Sequence, residues 1–431
     1  MNGDMDTLTN KKNGIRGAIG RWIAPIPLLA LLIGALVSVE LEHYFGQALA
    51  ESVGLSQVPI LFGALIALKT PALVPGTLVY VICIYLAPIS IVSRVIARPA
   101  NALASGLMRL PLVFSAVIHL GLLYLVLHIW SDINGFRLLT VKMTMIAIMV
   151  TLSLNVINGY MGEFSCSHPG FMALGAYAAS VVTLLLFVND RIFGQALMNS
   201  AIGPYVFPLA LIIGGVVASL GALVIAIPSF RTRGDYLAII SLAFTFIIKS
   251  LIENLEIIGG PRGLSSQPDW ANLPTVFCWT VLCIWVINNF VRSTMGKALN
   301  AVRDDETAAE AMTVNTRQTK MVAFMFGAFW AGVAGGLLAH VMKFINPASF
   351  GLQKLAEVLA MVYFGGLNSV YGSIVGAVSI NLLGEALRPL EIFKWIIIPL
   401  LLILVMIYRP TGLIAFKDLD VRKVLSPRRN G

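Results

Sequence analysis

The side chains able to do chemistry gather in two short runs. In NGYMGEFSCSHPG, residues 158–170, Asn158, Gly159, Gly162, Glu163, Ser165 and His168 interrupt an apolar stretch. Glu163 and His168 together could hold a polar solute or a proton, since ionisable groups inside apolar segments mark transport paths and relays. In RDDETAAEAMTVN, residues 303–315, Arg303, Asp304, Asp305, Glu306 and Glu310 crowd among alanines that include Ala309. Acids in the cap and first turn complement a helix dipole. The run therefore predicts one short helix with Asp304, Asp305 and Glu306 at its start. Ala308, Ala309 and Ala311 give it a thin face that a neighbour can approach closely. Glu306 and Glu310 are one turn apart on one edge, so they do not support each other. A groove on another protein suits such a helix, and so does plain solvent.

The rest of the sequence argues against catalysis. His119, His128, His168 and His340 are scattered and pair with no carboxylate at helical spacing. No HExxH, GxSxG or phosphate-cradling GxxxxGK occurs. The reading is a non-enzyme with no catalytic residue, no metal site and no cofactor bound by the chain. Cys83, Cys166, Cys278 and Cys283 lie in or beside apolar runs without metal-ligand spacing, and Cys278 and Cys283 are expected to pack as small hydrophobes. Lys249 and Glu253, four apart near a span end, read as a local pair, and Glu385 and Arg388 as interfacial.

What must position these residues is a membrane protein. Of 431 residues, 58% are hydrophobic and 12% charged, half the charge of about 25% usual in soluble domains. Apolar runs sit near 22–40, 72–92, 111–130, 138–157, 167–188, 205–227, 236–254, 274–291, 319–342 and 393–408, with a broken region at 355–387. The fold class is all-α: a polytopic transmembrane bundle of about 10–12 spans with discontinuous helices. The runs are continuous rather than alternating, which excludes a porin-like barrel. No cleavable signal peptide is apparent. The +9 net charge reads as loop topology rather than nucleic-acid binding. Basic clusters at Lys11–Arg21, Arg94–Arg109, Arg231 and Arg233, Arg292–Lys320 and Arg409–Arg429 fall on one side if 58–68 does not cross and 355–387 crosses an even number of times. Both termini and residue 303 are then cytoplasmic.

Gly365 and Gly366 lead a second interrupted run, FGGLNSVYGSIVGA. Irregular backbone at membrane depth must be solvated by protein or a water-filled path. Two such breaks, one in each half of the core, point to a transport pathway. Close packing through small residues is the alternative.

Several blocks resemble the branched-chain amino-acid ABC transporter permease family, in its longer, LivM-type subunit. They are LSLNVINGYMGEFSCSHPGFMALGAYAA, PSFRTRGDYLAIISLAFTFIIKSLIEN with GGPRGLSSQP, MGKALNAVRDDETAAEAMTVNTRQTKMVAFMFGAFWAGVAGGLLA, MVYFGGLNSVYGSIVGA and LLILVMIYRPTGLI. The resemblance covers roughly residues 138–415. Residues 1–130 lack such breaks in their apolar runs and read, from pattern alone, as an N-terminal tail with accessory helices; the permease core follows over 131–415 and a basic cytoplasmic tail over 416–431. The resemblance implies a coupling helix at about 296–318, with Arg303, Asp304, Asp305, Glu306, Ala309 and Glu310 facing the ATPases. Asn158, Gly159, Gly162, Glu163, Ser165, His168, Gly365 and Gly366 would line or serve the substrate pathway. The implied partners are a second, LivH-like permease, two cytoplasmic ATPases that hold the ATP and Mg, a periplasmic solute-binding protein near GGPRGLSSQP, and lipid. The location is the bacterial inner (plasma) membrane, and the mechanism ATP-driven alternating access. The substrate is a branched-chain or related amino acid; relatives that carry urea or short amides, and an ion-coupled transporter, are the alternatives. The sequence departs from the family at Glu163, where Gln or an apolar residue is common, at Cys166 and Ser167, in place of Leu-Gly, and at Thr313, in place of a Gly that would end the coupling helix in a left-handed turn.

Overall fold

The computed structural model describes residues 26–59, 70–109, 111–189, 194–230, 236–388, 391–409, 411–415 and 419–427. The N-terminal basic cluster, most of segment 58–68, Arg231 and Arg233, and the far C-terminal arginines lie outside them. Among the described residues, nine helices are long and apolar enough to cross a membrane. They are α1 (Leu28–Ser52), α2 (Val74–Val95), α4 (Leu112–Asp132), α5 (Gly135–Met161), α6 (His168–Phe187), α7 (Ser200–Ser229), α8 (Tyr236–Asn254), α9 (Leu273–Arg292) and α12 (Thr316–Met342). Shorter helices are α3 (Ala97–Leu107), α10 (Thr294–Asp304), α11 (Glu306–Ala311), α13 (Leu352–Gly365), α14 (Val370–Ala386), α15 (Glu391–Tyr408) and α16 (Val421–Leu425). Long helices are what an apolar environment demands, because every backbone group must bond within its own segment. The region 355–387 resolves into the hairpin α13–α14, an even pair.

The chain forms two compact units, residues 1–137 with 420–431, and residues 138–419. The first is pinned by a buried ion pair. Arg137 donates to Glu42 through Nη1 (3.0 Å) and Nη2 (2.9 Å), and Nη2 also reaches the Pro59 carbonyl at 3.0 Å. Tyr80 and Tyr85 donate to the same carboxylate, and Trp130 lies under the guanidinium. Such a fork satisfies a buried charge in a way a lysine would not.

In the second unit α5 is central: 89% of its apolar window is buried. Beside it, α6, α7 and α12 meet backbone to backbone. A Cβ on Gly214 would lie 2.7 Å from the Gly175 carbonyl oxygen and one on Gly332 2.8 Å from that of Gly214, while one on Gly175 would collide with Gly332. Small residues supply the close approach that lipid-embedded helices use to gain dispersion contact. The paired Leu264–Ser265 and Phe344–Ile345 sit past the end of α12. They lie roughly 40 Å along the helix from its start, at 1.5 Å per residue.

Replacing Gly175 with Val forces this seam apart. The expected cost is about 1–3 kcal/mol, read as a lowered Tm of the solubilised protein. An unchanged Tm would show that the three helices do not touch through their backbones.

Candidate functional site

The acidic run folds as two helices rather than the single one its composition predicts. Asp305 is extended (φ −157°, ψ 107°) and caps α11, its Oδ1 accepting from Ala308 N at 3.0 Å. Asp304 instead closes α10. Asp304 and Asp305 both suit a cap, and the break falls at Asp305, where the chain turns. α11 ends in a left-handed turn at Thr313 (φ 65°), with Val314 N bonded to Ala309 O and Thr313 N to Glu310 O. That is the bond pattern that glycine usually closes. Here a β-branched residue adopts it, at a backbone cost of roughly 1–2 kcal/mol.

The outer side of this helix pair is exposed: Asp304, Asp305, Glu306, Thr307, Ala308, Ala311 and Met312, the last 77% accessible. Ala309 is buried on the inner side. Thr316 ties down Glu310 at 2.9 Å.

The helix pair lies against the first interrupted run. There α5 ends in a π-helical turn, Val156–Met161, and Gly162 is left-handed (φ 79°). A Cβ on Gly162 would strike the Arg303 side chain, so glycine is required for both conformation and room. Arg303 holds Asp304 at 2.7 Å and reaches the Gly159 carbonyl at 3.3 Å. Residues 162–167 then turn back into α6. Ser165 N bonds Asn158 Oδ1 at 3.2 Å, and Ser165 and Ser167 share a hydrogen bond of 2.8 Å. Cys166 is fixed to α8 at both backbone groups: its N donates to Ser241 Oγ (2.8 Å) and its O accepts from Thr245 Oγ1 (2.9 Å). The run is a compact turn between two full spans.

Asn155, just before the π-helical turn of α5, joins that helix to the second interrupted run. Its Nδ2 donates to Ser369 O (3.0 Å) and Ser373 Oγ (2.6 Å), and its Oδ1 accepts from Asn368 N (3.1 Å). Gly365 and Gly366 are buried in the α13–α14 turn, where a Cβ on Gly366 would sit 2.6 Å from the Ile414 carbonyl oxygen. Ile414 N bonds Gly365 O at 2.9 Å. Both interruptions, the acidic helices and the segment after α15 therefore meet at one end of the bundle.

The structure places Asn158, Ser165, His168, Gly159, Gly365 and Gly366 inside this end, all buried, with His168 packed on Phe171. Glu163 is half-buried at its surface, in an ion pair with Lys320 (2.8 Å) that also takes in Glu306 (2.9 Å). A cavity of about 250 Å³ lined by Glu163, Phe164, Leu237 and Ala238 opens beside it. Sequence reasoning missed Asn155, Ser241 and Thr245, and placed Ser369 only as one polar residue of the second interrupted run. Asn155 left a signal, an amide in an apolar span three residues before Asn158; the hydroxyls of α8 did not. Lys249 and Glu253 pair at 3.8 Å, as their spacing predicts. Cys283 is buried, whereas Cys278 lies on an exposed helix face. Among the described residues, no three His, Cys, Asp or Glu groups converge as metal ligands.

Residues 136–407 match the family model described as branched-chain amino acid transport system / permease component. The chain belongs to that family. High-affinity branched-chain amino acid transport system permease protein LivM of Escherichia coli K12 is 32% identical over 307 residues, covering 63% of this permease and 68% of its own length. The corresponding LivH protein of Salmonella typhimurium LT2 is 23% identical over 286 residues, covering 63% and 92%. A probable LivM of Methanocaldococcus jannaschii is 24% identical over 314 residues, covering 63% and 91%. No solved structure matches the permease. Helices α1–α4 precede the matched region.

Asn155→Ala strands the buried Asn368 amide and removes the bonds to Ser369 and Ser373, all in segment 368–373, and a stranded group costs about 1–3 kcal/mol. A clear fall in Tm is expected, with proteolytic nicking at 366–369. A variant as stable as the parent would remove Asn155 as the clamp.

Proposed function

We propose that this permease is a translocating subunit of an ATP-driven importer of branched-chain or related amino acids in the bacterial inner membrane. In this reading it pairs with a second, LivH-like permease and rests on two cytoplasmic ATPases, which bind the ATP and Mg. It receives solute from a periplasmic binding protein at the Gly259–Pro268 end. Helices α10 and α11 are the docking element. Alternating access follows when nucleotide binding moves the ATPases and biases the packing of the spans.

The observation that carries the reading is the two-sided character of the helix pair. Its inner side is bonded to the ends of the spans through Arg303 and Glu310. Its outer side presents acids, two alanines and the exposed Met312 to whatever lies beyond. A thin, acid-edged face with one protruding apolar side chain suits a groove with a basic rim. Asn158, Ser165 and His168 in this reading shape the inner mouth of the pathway, and the Gly365–Gly366 turn lets the α13–α14 hairpin shift as a piece.

The docking face is tested with Ala308→Arg and Met312→Glu, two exposed positions outside the bonded inner side. The expected result is about a tenfold weaker retention of the ATPase subunits on purification of the complex, the scale of one lost interface anchor. Undiminished copurification in both variants would contradict docking through this face. Uptake by the reconstituted complex of leucine, isoleucine or valine, against urea and acetamide, tests the substrate class.

A further inference from the structure

We propose that Lys320 is the positioning residue that makes the acidic helix pair and the 162–167 turn move as one body. The inference rests on the reading of α10–α11 as the docking element and names what that element moves.

Three observations support it. The first is geometric. Lys320 lies one turn into α12, and its ammonium is 2.8 Å from Glu163 Oε1 and 2.9 Å from Glu306 Oε2. Glu306 belongs to the docking helix and Glu163 to the turn between α5 and α6. The two acids lie 143 positions apart (306 − 163), and this one cation joins them.

The second is the graded exposure of the three groups. The side chain of Lys320 is 11% accessible, that of Glu163 23% and that of Glu306 49%. The Lys320–Glu163 half is the less screened and the harder to break, because separation would leave a mostly buried charge unpaired. The Glu306 half faces outward, where an approaching protein can meet it. The outer half is the weaker link, so the triad carries a displacement of α11 to Glu163 only while Glu306 stays bonded to Lys320, and the inner pair holds beyond that point.

The third is what lies beyond Glu163. The turn is bonded to α8 at Cys166 N and O, and its first residue, Gly162, is packed under Arg303. A half-open pocket bounded by Glu163, Phe164 and by Leu237 and Ala238 of α8 borders the turn. Lys320 thus links the docking helix to α8 through Glu163, the turn and Ser241. Glu163 supplies the inner half of the bridge.

The test uses the full importer with both permeases, the ATPases and the binding protein, reconstituted in vesicles. Lys320→Met keeps length and apolar bulk while removing the charge. The expected outcome is wild-type copurification of the ATPases with stimulation of ATP hydrolysis by leucine-loaded binding protein lowered about tenfold or more. Lys320→Arg, which keeps the charge, is expected to restore most of that stimulation, which a purely structural role for side-chain shape would not produce. Stimulation within about twofold of wild type in Lys320→Met would overturn the proposal, as would loss of the ATPases from that variant. If Lys320→Met does not accumulate in the membrane, Glu163→Gln carries the same test, and full stimulation in it overturns the proposal. Failure of the docking reading looks different: Ala308→Arg and Met312→Glu would then leave copurification intact whatever Lys320→Met does.

Discussion

A positive charge one turn inside a membrane helix needs negative partners close by, and Lys320 has two from distant parts of the chain. That requirement organises the end of the bundle around it. It fixes α11 near the start of α12, and it fixes the turn after α5 near both. Without the pairing, the desolvation of a lysine that is 9% accessible would favour pulling the first turn of α12 outward. The ion triad is therefore a constraint on where three segments lie as well as a contact between them.

Around it the backbone satisfies itself in a way the apolar setting dictates. The chain reverses between α5 and α6 and again between α13 and α14, and each reversal exposes peptide groups that helices would have bonded internally. Asn155 answers for one reversal, and Ser241 and Thr245 for the other. The segment after α15 adds Leu413 N to Phe364 O (3.1 Å) and Ile414 N to Gly365 O. Glycines stand where these backbones approach too closely for a Cβ. Of the polar residues that look like a solute pathway in the sequence, Asn158 and Ser165 are engaged in holding the first reversal. A shift of α8 or of the α13–α14 hairpin must exchange those bonds together, which favours two discrete packings over a continuum.

The spans were legible because length and hydropathy determine them almost alone, and the acidic run was legible as a helix end because Asp and Glu at a cap have few other uses. The hinge at Asp305 was not. Asp304 and Asp305 both suit a cap, and tertiary position selects between them. Lys320 read as one more loop charge because its partners are 14 and 157 residues away. The Glu42–Arg137 pair was hidden in the same way, by a separation of 95 residues. Each interrupted run was visible by itself, but their meeting through one asparagine was not, since the contact spans more than 210 residues. Local pattern reports local structure; contacts across the bundle leave no periodic trace.

The central claim is that α10, α11 and the 162–167 turn are one mechanical body. The most direct measurement is the distance between spin labels at Ala301, on the exposed side of α10, and Phe164, in a cysteine-free form of the full importer. It is taken without nucleotide and again in an ATP-trapped state. The account predicts the same distance distribution in both states, and a distribution that shifts between states once Lys320 is replaced by Met. A distance that changes on ATP trapping in the importer with Lys320 intact would show that α10 moves independently of the turn, and would contradict the account.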